Sequence, residues 1–190
     1  GHVLKESPFA VLGAGTGLGE AVGVGNVVLP GEGGHAEFGP GSPREVRLAG
    51  WLLARYGRAT WEHVLSGPGL VNLARFQWEE RRQVAPPWAE EAEAPARVAA
   101  SEPDVLAWFA ELYGAEAGNL ALRVLAGGGV FLAGGIAPRM LSVLRSGGFE
   151  RRFREKGRVA QAIANVPVFV ADHPALGLVG ARAELVRRGA

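Results

Sequence analysis

Apolar residues along this chain come in two patterns, and together they predict an α/β layered domain. Short apolar runs stop at glycines and read as buried strands; longer stretches repeat every three or four positions and read as helices. Phe9-Ala10-Val11-Leu12 is a strand-length run that enters glycines, and Glu20 to Val24 and Val27 to Leu29 follow around a Gly25-Asn26 turn, so three strands open the domain as a meander. At Ser42 the period changes. Ser42 with Glu45 three residues on is a helix start, and Val46, Ala49, Leu53 and Tyr56 recur at helical spacing up to Gly57. A second helix is expected after Pro68-Gly69, carrying Leu70, Leu73 and Phe76, and the Pro/Ala/Glu stretch 85–95 reads as a mobile connector.

Ser101-Glu102-Pro103-Asp104 opens a long helix with Leu106, Phe109, Tyr113, Leu120 and Val124 on one face. Gly127-Gly128-Gly129 ends it. Val130 to Ala133 then forms a strand that stops at Gly134-Gly135, with Pro138 opening another helix. A last strand, Val166 to Ala171, leads through Asp172-His173-Pro174 into a terminal helix. That helix carries Leu176, Val179, Ala183 and Val186 on one side and Leu178 and Leu185 on the other, which suits contact with a second body.

The 190 residues fit one domain or one lobe of a two-lobed enzyme. An apolar share of 48%, a charged share of 21% and a net charge of +1 are ordinary for a globular protein, and imply neither nucleic acid nor membrane as a partner. No apolar run approaches the ~20 residues of a membrane helix, and no basic segment leads into an apolar signal core at the N-terminus. The absence of cysteine rules out disulfides, a thiolate nucleophile and Cys-ligated metal. The expectation is a soluble, cytoplasmic protein.

Four segments could carry chemistry. Gly13-Ala14-Gly15-Thr16-Gly17-Leu18-Gly19 follows a strand, and backbone N–H groups without Cβ neighbours can approach an anion there. It is not a dinucleotide fingerprint, because a strand follows and Leu18, Glu20 and Val22 occupy the third-glycine positions; nor does a lysine follow at P-loop spacing. A phosphate cradle and a plain tight hairpin remain as readings. Leu29 to Phe38 sets Glu32 and His35 three residues apart on a glycine-framed loop, where an acceptor-only carboxylate and a donor-acceptor imidazole can read neighbouring hydroxyls of a polyol. An exposed or capped loop histidine is the plainer reading and a two-ligand metal site a second alternative, although no metal-motif spacing recurs around them. Thr60 to Leu73 ends an apolar segment in Ser66-Gly67-Pro68-Gly69 at a helix start, which either attracts ligand oxygens or is simply capped by Ser66. Gly134-Gly135 after a strand would let a flat ring lie against the backbone.

Taken in order, LGAGTGLG (12–19), LPGEGGHAEF (29–38), VLSGPGLVNL (64–73), GNLAL (118–122), GGVFLAGGIAPRML (128–141) and GF followed by KGR (148–158) resemble the bacterial glucokinase family of the actin, Hsp70 and sugar-kinase superfamily. The resemblance implies a ribonuclease H-like (actin-like ATPase) lobe with a mixed sheet flanked by helices. It divides the chain into a lead-in at 1–8 from an N-terminal small lobe, the large lobe at 9–173, and a C-terminal helix at 174–190 that contacts the small lobe or a partner. It implies that Glu32, His35 and Glu62 bind glucose, that the turn from Gly13 through Gly15, Thr16 and Gly17 binds phosphate, and that Gly134 and Gly135 bind adenosine. ATP and Mg2+ are the expected cofactors, and a homodimer the expected assembly. The related repressor and sugar-kinase group typically carries a cysteine-rich zinc motif, so it is the poorer match. The family's Asp-Gly-Gly-Thr-Asn phosphate turn and its Asn-Asp pair are not in this chain, whose aspartates are Asp104 and Asp172. The catalytic base is therefore expected on a small lobe, this chain alone is expected to be inactive, and a non-catalytic sugar- or nucleotide-binding regulator is the alternative.

Overall fold

In the computed structural model, which describes residues 3–4 and 6–189, each glycine-bounded apolar run becomes a strand of one sheet. The strands are β1 (Phe9–Ala14), β2 (Leu18–Val24), β3 (Val27–Gly31), β4 (Val130–Ala133) and β5 (Val168–Val170), in spatial order β3-β2-β1-β4-β5. The first three pair antiparallel as the expected meander, whereas β1, β4 and β5 run parallel, so the expected mixed sheet flanked by helices is the fold that forms. The carboxyl ends of β1, β4 and β5 and the start of β2 share one edge, where open α/β sheets bind ligands.

Helix α1 (Pro43–Tyr56) starts and stops where expected: Ser42 Oγ accepts from the Glu45 N–H, and Gly57, at φ +73°, supplies the left-handed cap. Its buried line is not the one expected. Val46, Leu53 and Tyr56 are exposed, while Glu45, Leu48 and Leu52 face inward. The inward line tolerates Glu45 because Arg152 Nη2 lies 3.0 Å from its carboxylate and the Gly41 N–H 2.6 Å away. Helix α2 (Gly67–Glu80) buries Leu70, Leu73 and Phe76 as expected. The connector expected over 85–95 instead carries a 3-10 turn at Pro87–Glu90 and the start of α3 (Ala94–Ser101), with Ala89, Ala94 and Val98 buried.

At the centre lies α4 (Pro103–Val124). A single apolar face was expected, but Val105, Trp108, Phe109, Leu112, Tyr113, Glu116 and Leu120 bury nearly its whole circumference, because β1, α2, α3 and α7 (Gly148–Arg154) pack around it. The Tyr113 hydroxyl donates to the Leu12 carbonyl at 2.9 Å, fastening helix to sheet. Gly114 makes the α4 and α7 contact possible, since a Cβ there would overlap the Phe149 carbonyl. Pro138 does not open the helix expected there: one turn, α5 (Ile136–Arg139), begins two residues earlier and contains it, and α6 (Leu141–Leu144) follows.

The C-terminal α8 (Leu176–Arg188) leaves Leu176, Leu178, Val179, Leu185 and Val186 exposed. Of the lead-in at 1–8, residues 1, 2 and 5 lie outside the described residues, and Leu4 donates its N–H to the Gly127 carbonyl at 2.9 Å. Among the described residues no helix is long and apolar enough to cross a membrane.

Two helical glycines should respond oppositely to alanine. Gly50→Ala faces open space on α1 and is expected to stabilise by ~0.5–1 kcal/mol. Gly114→Ala is expected to destabilise by ~1–3 kcal/mol through overpacking. Urea midpoints should move in opposite directions.

Candidate functional site

The expected site residues gather on the carboxyl edge of the sheet. Between β1 and β2 the Gly15 N–H donates to the Gly17 carbonyl at 2.9 Å, closing a tight turn with Thr16 exposed at its tip. Nothing lies within 4 Å of a Cβ built on Gly15, so that side of the turn is open. Gly134, at φ +82°, sits so close to β1 that a Cβ would overlap the Ala14 carbonyl; the two glycine elements therefore adjoin. Beside them is a cavity of about 760 Å³ whose walls include Gly134, Gly135, Arg139, Asp172 and His173. That volume is within the range of small-molecule sites.

Glu32, His35 and Glu62 also come together. The segment 34–37 pairs with 60–62: Glu62 donates its N–H to the Gly34 carbonyl at 2.8 Å, Trp61 to Ala36 at 3.1 Å, and Glu37 bridges Thr60. This carries Glu62 to the glycine turn, where its Oε2 accepts the Leu18 N–H at 2.8 Å and lies 2.5 Å from the place a Gly17 Cβ would occupy. His35 Nδ1 is 4.0 Å from Glu62 Oε1, and its Nε2 is 4.0 Å from Glu32 Oε2. These separations are too long for hydrogen bonds, which leaves the three side chains with capacity for ligand hydroxyls. Among the described residues no three His, Asp or Glu side chains gather as metal ligands.

The N–H groups at the amino end of α2 have partners within the chain. Gly67 gives its N–H to the Gly15 carbonyl at 2.8 Å, Pro68 has none, and Gly69 donates to Ser66 Oγ at 3.0 Å, while the Ser66 hydroxyl donates to the Glu62 carbonyl at 2.7 Å. Ser66 thus caps the helix, and Gly67 braces the glycine turn. Next to Glu62, the His63 ring stacks on Tyr56 at 4.6 Å, the Tyr56 hydroxyl donates to Asn72 Oδ1 at 2.7 Å, and Asn72 Nδ2 donates to the His63 carbonyl at 2.9 Å. Burial lowers the His63 pKa, with His35 and Arg58 acting the same way against Glu62. Between the ordinary His value and the lowered one the unfolded chain binds more protons, so the fold loses stability as pH falls through that window.

One group was not anticipated from the sequence. Glu20 of β2 is buried beside Glu116 and Arg123 of α4: Arg123 Nη1 lies 2.8 Å from Glu116 Oε1 and 3.6 Å from Glu20 Oε2. Asn119 donates to Glu116 at 2.9 Å, and Lys156 Nζ donates to Asn119 Oδ1 and the Ala115 carbonyl, each at 2.8 Å. Burial, and then Glu116, push the Glu20 pKa up to about 7 against Arg123. Burial also raises Glu116, and burial followed by Arg152 brings Lys156 down to about 8. Asn119 and Lys156 fall within the GNLAL and KGR segments, but only the fold brings those segments together.

The bond from Leu18 to Glu62 is testable on stability. Glu62→Ala leaves that amide without its acceptor and is expected to cost ~1–3 kcal/mol. Glu62→Gln keeps an acceptor oxygen and should lose less than half as much in urea unfolding.

The glucokinase family profile matches residues 1–188. A curated glucokinase from Nostoc punctiforme is 37% identical over 210 residues, covering 95% of this chain and 62% of its own length. A crystal structure of glucokinase from an Antarctic psychrotroph superposes with a TM-score of 0.87 at 33% identity, over 98% of this chain and 60% of that one. A ROK family glucokinase from Streptomyces griseus, solved in complex with glucose and AMPPNP, shares the fold alone: TM-score 0.61 at 22% identity, over 97% of this chain and 62% of that one. The chain thus spans about three-fifths of the length of such relatives. Matched by the family profile along nearly all its length, this chain belongs to the glucokinase family.

Proposed function

We propose that this chain supplies the sugar- and nucleotide-gripping part of an ATP-dependent kinase that converts glucose to glucose 6-phosphate. One observation carries the reading: Glu62, grouped with Glu32 and His35, is hydrogen-bonded through Leu18 to the Gly13–Gly17 turn, so a polyol site and an anion site share one edge. Glucose hydroxyls would donate to Glu32 and Glu62 and exchange hydrogen bonds with His35. The turn of Gly13, Gly15, Thr16 and Gly17 would hold the phosphates at its exposed Thr16 tip, the Gly15 N–H being used within the turn, and adenosine would lie along Gly134 and Gly135 in the adjoining cavity. With no ligand set for a metal among the described residues, Mg2+ would arrive bound to the triphosphate rather than in a cage of this chain. Such a kinase works chiefly by positioning and charge stabilisation.

The base that takes the 6-hydroxyl proton is assigned to an aspartate of a small lobe, for which the greater length of the relatives leaves room. In this chain Asp104 pairs with Arg81 at 2.9 Å, and Asp172 lines the nucleotide cavity. The lobe proper is assigned to 9–173; the exposed leucines and valines of α8 support contact of 174–190 with the small lobe or a partner. A cytoplasmic homodimer belongs to the same reading.

In a kinase carrying both lobes, Glu32→Ala and Glu62→Ala should each lower kcat/KM for glucose about 10- to 100-fold, while Gly134→Leu raises the ATP requirement. Wild-type glucose kinetics in both glutamate variants would refute the sugar site. Robust turnover by this chain alone would refute the external base. Glucose binding without turnover even with both lobes present would favour a regulator.

A further inference from the structure

Glu20 is a buried acid that the proposed chemistry does not use, and it lies directly under the sugar loop. Its side chain is only 5% exposed, and a Cβ on Gly33 would overlap its Oε2, so nothing separates the carboxyl group from the backbone between Glu32 and Gly34. The charged groups facing it can be counted element by element. Its sheet neighbours β1 and β3 carry none and α4 contributes Glu116 and Arg123; the loop presents the Gly33 backbone to it, with Glu32 and His35 largely exposed to either side. Lys156 reaches only Glu116's side of the cluster, spending its hydrogen bonds on Asn119 and Ala115.

One guanidinium therefore serves two buried carboxyl groups, and it is committed to Glu116 at 2.8 Å, leaving Glu20 at 3.6 Å. Glu20 Oε1 is also fully buried with no hydrogen-bond partner. An ionised carboxylate in that position is costly, and a neutral acid much less so. We propose that Glu20 is a positioning residue that supports the Gly33–His35 turn as a neutral acid, so that glucose binding takes up a proton and weakens as pH rises. Glucose seated on the loop removes further water from Glu20 and favours its protonated form; by reciprocity, the protonated form favours glucose. Burial already places the Glu20 pKa at about 7, within the range where this coupling operates.

The inference rests on the glucose reading of the loop, and glucose titrations of this chain followed by tryptophan fluorescence at pH 6 and pH 8 separate the two. Trp61, adjacent to Glu62 and 2% exposed, is a suitable reporter. Any other pH dependence of the loop is shared by wild type and variant, so the comparison is the ratio between them. Glu20→Gln should bind glucose as wild type does at pH 6 and about three- to tenfold more tightly at pH 8, a factor of ten corresponding to one pKa unit. Glu116→Gln frees Arg123 for Glu20 and should move the weakening to lower pH. An equal ratio at both pH values, or failure of Glu20→Gln to fold, overturns the neutral-acid role while leaving the sugar site intact. No glucose binding by the wild-type chain at either pH overturns the sugar site and the coupling together.

Discussion

The hydrogen bond from the Leu18 amide to the Glu62 carboxylate, 2.8 Å long and charge-assisted, ties the edge of the sheet together. On one side of it the chain has just left the glycine turn and is starting β2; on the other, 60–62 is paired with the loop of Glu32 and His35. Ser66 then caps α2 while donating back to the Glu62 carbonyl, and Gly67 returns to Gly15. Turn, loop and helix end are thus fixed to one another by backbone hydrogen bonds together with the Glu62 carboxylate and the short Ser66 hydroxyl. The backbone bonds among them cost no additional side-chain entropy.

That rigidity extends to the glycine turn, which keeps an open face at Gly15 and has the Glu62 carboxylate pressed against Gly17. Here the position of Glu62 and the shape of the turn depend on each other. The same edge receives Gly134 from β4 against Ala14 of β1, which brings the cavity walled by Arg139, Asp172 and His173 next to the turn.

What could be read from the sequence follows the range of the interaction responsible. Ser42, Glu45 and Gly57 define α1 through contacts within a few residues, and the Phe9 to Leu29 meander comes from apolar runs broken at glycines; both form as expected. The face that α1 buries was not readable, because Glu45 is stabilised inside by Arg152, 107 residues away. The Ser66 turn shows the limit in another way. Its capping was visible locally, but that its N–H groups are consumed depends on Gly15, which only the fold brings within reach. Glu32, His35 and Glu62 were named through the family likeness; spacing by itself left a loop pair, with Glu62 as one more carboxylate in a separate segment.

The buried acids show how charge is distributed beneath the loop of Glu32 and His35. Removing water from two carboxyl groups with one committed guanidinium between them favours a protonated member, and Glu20, with an orphan oxygen, is the poorer of the two at holding charge. Arg123 is about half exposed and can be screened by solvent, whereas Glu116 is wholly enclosed and needs that partner more. The geometry therefore sends the charge to α4 and leaves the neutral group against the loop. A neutral group there also avoids placing a further ionised carboxylate beneath Glu32 and Glu62, where it would add repulsion.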